Sequence, residues 1–219
     1  MTNQIQILDS IEPELSNRIV ARRDLFRNVT RKLGALASAP VVLAAVSTQA
    51  FAQAMPAQIV DVLNFALTLE YLEDEFYRKA LAQSGLIDKQ YAAVFQQISK
   101  HETEHVATLK GALGSAAVAK PEFDFTAKGK YADIFSNFKT FALVSQTFEE
   151  TGVGAYKGQA PHLMADGKIL TTALQIHSVE ARHAAEVRRV REVELWPSAF
   201  DKPLTKEEVL AAVKPFIVG

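Results

Sequence analysis

Glu102 and His105 stand three residues apart, and so do Glu180 and His183. Residues at that spacing share one face of a helix. Each pair is preceded, about one helix earlier, by a single carboxylate: Glu70 before the first and Glu149 before the second. Tyr77 follows Glu70 by seven residues, and Tyr156 follows Glu149 by seven. Glu70 to Glu102 is 32 residues, and Glu149 to Glu180 is 31. One pattern (Glu, Tyr, Glu-x-x-His) is therefore written twice. Four carboxylates turned toward a helical core cannot all stay ionised, because desolvation and mutual repulsion both raise their pKa values. Two divalent cations would cancel the four negative charges, and two neutral imidazoles would complete the ligand sphere. The pattern predicts two metal ions held by Glu70, Glu102, His105, Glu149, Glu180 and His183, the ligand arrangement of di-iron and di-manganese carboxylate bundles. The competing reading is a buried polar network without metal.

Neighbouring residues are weighed on the same grounds. Glu149 shares a stripe with Ala142 and Ser145, whereas Glu150 shares one with Leu143, Thr147 and Lys157, so Glu149 is preferred. Glu73, one turn after Glu70, is either an extra ligand or part of a solvated run, Glu73-Asp74-Glu75. His177, one turn before Glu180, is either a hydrogen-bond partner to a ligand or a polar residue at the bundle surface. Tyr77 and Tyr156 pack in the core or donate to ligands. His101 adjoins Glu102, lies off its face and is expected in solvent.

Helices must position these groups. Apolar residues recur at helical spacing from Pro56 to about Gln83, and again from Asp88 to Gly111–Gly114. After a stretch containing Pro121 and Gly129, a third helix is expected from Tyr131 to Gly158. A fourth is expected from Asp166 to Trp196, stopped by Pro197. Thr205-Lys-Glu-Glu208 has the form of a capping box opening a short last helix. Short links within each pair and a long link between pairs predict an all-α, antiparallel four-helix bundle with one long crossover.

The rest of the chain narrows the function. Its 219 residues contain no cysteine, so thiolate sites and disulfides are excluded and any metal is held by oxygen and nitrogen. A net charge of −1 without a basic stripe argues against nucleic acid as a partner. Arg22-Arg-Asp-Leu-Phe-Arg27 precedes an uncharged run from Leu33 that ends Ala50-Phe51-Ala52. That order predicts a twin-arginine-type export signal over 1–52 and a bundle domain over 53–219, periplasmic or otherwise extracytoplasmic. No membrane association is expected after signal cleavage, and a homo-oligomer is compatible with the reading.

Asn64-Phe-Ala-Leu-Thr-Leu-Glu-Tyr-Leu-Glu-Asp-Glu-Phe-Tyr77, His101-Glu-Thr-Glu-His105 and Thr151-Gly-Val-Gly-Ala-Tyr-Lys-Gly-Gln-Ala-Pro161 resemble the ferritin-like domain family that includes desiccation-related proteins and exported bacterial relatives. The resemblance covers about residues 56–197. It implies the ferritin-like bundle and carries the same six ligands onto this chain. The expected chemistry is redox work at a di-iron centre with O2 or hydrogen peroxide as substrate, of ferroxidase or peroxide-scavenging type and stress related. Glu102 and Glu180 would bridge, His105 and His183 would be terminal, and Glu70 and Glu149 would close the two ends. A manganese-catalase-like enzyme with the same ligands is the second reading. A structural or protective envelope protein without turnover is the third.

Overall fold

The computed structural model describes residues 55–218. The export signal expected over 1–52 lies outside the described residues. Among the described residues five α-helices follow in order: α1 Ala57–Leu81, α2 Ala92–Leu113, α3 Phe138–Gln159, α4 Gly167–Val190 and α5 Lys206–Val213. Helix α1 packs mainly on α2 and α3 mainly on α4, with α1–α3 and α2–α4 contacts closing the bundle. Within each pair the helices run antiparallel. Asn64 of α1 bonds to Ala116 just beyond α2, and Asp74 accepts from Thr103 further back along it. Across the second pair, Gln146 meets Arg191 and Glu150 meets Arg188. Among the described residues no helix is long and apolar enough to cross a membrane.

The helix signals in the sequence meet three corrections. Helix α3 begins at Phe138, not near Tyr131. Asn137, extended at φ −127° and ψ 110°, accepts from the Lys139 N–H and caps it. Ile134 is still buried, because a turn also packs apolar residues on the core and so mimics a helical stripe. Helix α2 begins at Ala92, after a turn closed by the Tyr91 N–H on the Asp88 carbonyl at 2.9 Å. Helix α4 ends at Val190, well before Trp196. Glu192 takes φ +57°, Val193 donates to Arg188 and Glu192 donates to Arg189, which is a Schellman closure with glutamate where glycine is usual. The capping box at Thr205 forms as expected, with both reciprocal bonds to Glu208 present.

The crossover, residues 114–137, is tied down near its start and at its middle. Asn64 holds Ala116 and Val118, and Asp124 and Val218 exchange backbone bonds with Phe216 and Glu122. Two apolar clusters fill the bundle. One is rich in aromatics and contains Phe76, Tyr77, Phe95, Phe141 and Phe148. The other is largely aliphatic and contains Ile59, Leu63, Leu67, Leu109 and Tyr156. Each cluster holds one tyrosine of the repeat, and the polar layer that both tyrosines reach contains the repeated carboxylates.

Candidate metal centre

All six predicted ligands meet in that layer, buried to the last few per cent of their surface. Helical phase accounts for this. Glu70 continues the buried face of Leu63, Ala66 and Leu67; Glu102 and His105 lie between Ile98 and Leu109; Glu180 and His183 lie between Ile176 and Val187. Leu174, two turns before Glu180 at near-helical spacing, is half exposed, so the buried stripe of α4 runs through Ile176 instead. On α3, Glu149 is buried while Glu150 turns outward to Arg188.

Two overlapping groups result. Glu70, Glu102, His105 and Glu180 form one, and Glu102, Glu149, Glu180 and His183 form the other, with the candidate atoms of each within 4.8 Å of one another. Glu102 and Glu180 belong to both. His105 Nδ1 stands 3.2 Å from Glu70 and 3.1 Å from both Glu102 and Glu180. His183 Nδ1 stands 2.9 Å from Glu102 and 3.2 Å from Glu149.

The tyrosines cross over. Tyr77 of α1 donates to Glu149 of α3, and Tyr156 of α3 donates to Glu70 of α1. Each outer carboxylate is thus held by the helix of the opposite half. This exchange is the repeat in the sequence expressed as an approximate twofold in space.

Electrostatics show how unusual the layer is. Burial, then the charges of Glu102 and Glu70, push Glu180 well above the usual carboxylate range. Burial pushes Glu102 up to about 7, although His105 and His183 oppose it. For Glu70 burial is outweighed by His105, Glu102 and Tyr156, and its carboxyl is lowered. Burial also disfavours the imidazolium of His183, but the charge of Glu149 and the contact with Glu102 push it up to about 11. His105 is held far above its ordinary value in spite of burial, chiefly by Glu102, Glu180 and Glu70. Without metal, protons supply the positive charge that the carboxylates require.

The donor set fits metal on a further observation. Glu102 Oε1, Glu149 Oε2, both oxygens of Glu180 and His183 Nδ1 are buried and have no hydrogen-bond partner among the described residues. The short contacts of His183 Nδ1 therefore lack hydrogen-bond geometry. Buried polar atoms left unpaired are costly, and a native core rarely keeps five together. Oxygen and imidazole nitrogen aimed at common points suit iron, manganese or zinc.

Residues beyond the six divide clearly. Glu73 is buried beside the layer, and burial followed by the charge of Glu180 pushes it well above the usual range. In the repeat, Gly152 holds the place matching Glu73. A Cβ at Gly152 would come 3.1 Å from Glu180 Oε2 and 3.6 Å from Glu73 Oε1, so the missing side chain makes room for the fifth carboxylate. His177 is not brought to the layer. It is partly buried, Nε2 has no partner among the described residues, and burial followed by the charge of Lys157 lowers its pKa, against a smaller effect of Asp201. His162 bonds to Gln58. His101, expected in solvent, instead stands 2.8 Å from His183. Its adjacency to Glu102 gave no signal of that, because the contact crosses from α2 to α4. Gly154 and Gly158 let the segment at Leu204 approach α3, and Leu204 donates to the Gly154 carbonyl at 2.9 Å.

No curated protein matches the chain. The sequence pattern described as a ferritin-like domain matches residues 58–192, more than half of the 219. That span contains the four long helices, all but the first residue of α1, and all six of the convergent carboxylates and imidazoles. The chain belongs to the ferritin-like domain family.

Proposed function

We propose that this protein is an exported di-iron carboxylate protein that reacts with O2 or hydrogen peroxide, as a ferroxidase or peroxide scavenger. The observation that carries the reading is the twofold layer of buried carboxylates and imidazoles in which four carboxylate oxygens and His183 Nδ1 have no hydrogen-bond partner among the described residues. Glu70 and His105 would serve one ion and Glu149 and His183 the other, with Glu102 and Glu180 common to both. Two Fe(II) ions held there would supply the two electrons that reduce hydrogen peroxide to water or O2 to peroxide.

The chain's own groups do the rest. Tyr77 and Tyr156 each hold one oxygen of an outer carboxylate, which fixes its orientation and leaves the other oxygen for the layer. The aromatic and aliphatic clusters flank the layer with apolar side chains, which limits side reactions with bulk water. Glu73, buried beside Glu180 with its carboxyl pushed toward the protonated form, stands where reduction of oxygen would consume protons.

The test is anaerobic loading of the purified chain with Fe(II), followed by O2 or hydrogen peroxide. Two ions per chain are expected, with a change in near-ultraviolet absorbance as the iron oxidises. Loading with Mn(II) and assaying oxygen release from peroxide tests the manganese reading in the same preparation. A chain that takes up neither metal stoichiometrically would refute the proposal.

A further inference from the structure

The two halves match in the carboxylates and imidazole each would offer a metal ion, but not in what stands behind them. His183 Nδ1 faces Glu102 and Glu149, and its other nitrogen, Nε2, lies 2.8 Å from His101 Nδ1. The two rings are inclined by only 15°, with centroids 5.1 Å apart. That separation is about as large as the N···N contact allows, so the imidazoles meet edge to edge, where an imidazole lone pair points. His101 Nε2 in turn meets the side-chain amide of Gln97 at 2.5 Å. On the other half, His105 Nδ1 faces Glu70, Glu102 and Glu180, and its Nε2 has no hydrogen-bond partner among the described residues. The repeat explains the difference. His101 immediately precedes Glu102, and the residue that immediately precedes Glu180 is Val179, which cannot hydrogen-bond through its side chain.

Resting on the di-metal reading, we infer that His101 is a positioning residue for His183 and makes the two metal positions unequal, the position at His183 being the tighter. The reason is the direction of the hydrogen-bond chain. A histidine that ligates through Nδ1 must carry its ring proton on Nε2. The His183 Nε2–H can then donate to His101 Nδ1, and the His101 Nε2–H can donate to the Gln97 carbonyl oxygen once that amide is turned. Every group in the chain is satisfied in this sense, and the bare Nδ1 of His183 is held toward Glu102 and Glu149. The partner behind a ligating histidine fixes its tautomer and ring orientation, and its loss costs about 10- to 100-fold in metal affinity. His105 gains no such support from the protein.

The experiment titrates the metal-free full chain with Co(II), following the visible absorbance of the bound ion and the heat of binding. The wild type should take up two ions with affinities at least about tenfold apart, a separation within the range lost on removing such a partner. His101→Leu should weaken the tighter position by about 10- to 100-fold and leave the weaker one unchanged. His101→Asn keeps an acceptor near the place of Nδ1 and should retain most of the tighter affinity. Val179→His should strengthen the weaker position. Two ions bound with equal affinity by the wild type, or with affinities that His101→Leu leaves unaltered, would overturn the inference while leaving the di-metal reading standing. A wild-type chain that binds no Co(II) would overturn both. Circular dichroism of each metal-free variant confirms that the bundle is folded before the comparison is made.

Discussion

Glu180→Gln is expected to leave the metal-free protein as stable as the wild type while removing most of the stability that metal adds. The carboxyl of Glu180 is fully buried, neither oxygen has a hydrogen-bond partner among the described residues, and its pKa is pushed well above the usual range. Burial and the neighbouring carboxylates thus favour the neutral acid, which glutamine copies in shape and charge. The new amide also brings donors into a layer where Glu102 Oε1 and Glu149 Oε2 have none. The metal-free variant should lie within about 1 kcal/mol of the wild type, well short of the cost of a buried polar group left unpaired. With metal the outcome reverses, because Glu180 belongs to both four-residue groups. At a free metal concentration 100 times the Kd of the weaker position each ion stabilises by at least about 2.7 kcal/mol, so two ions contribute about 5 kcal/mol or more. In a domain of this size each kcal/mol moves Tm by about 2–4 °C, giving a rise of about 10–20 °C. A hundredfold loss of affinity at both positions leaves about 0.4 kcal/mol at the weaker position and about 1.4 kcal/mol at one tenfold tighter, at the same free metal, and a rise of only a few degrees. Thermal melts at a fixed free concentration of Co(II), with and without metal, read both quantities. A metal-free variant destabilised by more than about 3 kcal/mol would refute the neutral-acid argument, since that exceeds the usual effect of a substitution. A metal-induced shift equal to that of the wild type would refute the shared-ligand assignment.

Acidity should act on the metal-free and metal-bound forms in opposite senses. In the folded metal-free chain Glu102 is raised from 4.5 to about 7 and His183 from 6.5 to about 11. Both folded values exceed the unfolded ones. Each contribution is therefore fully present below the unfolded value and lost as pH rises through the folded one. Urea denaturation of metal-free protein should show falling stability from about pH 5 to 8; rising stability over that range would contradict the assignment. Metal affinity should instead rise with pH, because each imidazole must lose its proton to ligate, and calorimetry in buffers of different ionisation heat should detect proton release. Gly158→Ala should cost about 1–3 kcal/mol or more through overpacking, because its Cβ would fall 1.9 Å from the Leu204 carbonyl oxygen. Gly111→Ala, which has open space around it in α2, should instead gain about 0.5–1 kcal/mol. Equal effects of the two substitutions in denaturant melts would contradict the close approach of the Leu204 segment.

Much of the bundle and of the candidate site was legible in the residues themselves. Period and spacing place Glu102 with His105, and Glu180 with His183, on apolar faces, because three residues bring a helix nearly once around. The same phase argument separates Glu149 from Glu150, and the structure buries the first and pairs the second with Arg188. Local chemistry also suffices for the cap at Thr205, since both of its bonds lie within one turn. Helix limits were less legible where the closing signal was unusual. Glu192 takes a left-handed conformation that ordinarily advertises itself as glycine, and the buried Ile134 belongs to a turn with an apolar stripe.

Only the packing of four helices decided what meets across the layer. Nothing in the spacing of Tyr77 and Tyr156 says that each serves the carboxylate of the opposite half, because periodicity gives the face of a helix and not the height at which a neighbour crosses it. The room that Gly152 leaves for Glu73 and Glu180 is likewise a distance between helices. His101 illustrates the limit most plainly. On its own helix it lies off the ligand face, yet the angle between α2 and α4 brings its ring to the back of His183. The sequence by itself determined which groups would be turned inward. The tertiary structure decided which of them touch, because contacts between helices depend on crossing angle and register, which no single helix encodes.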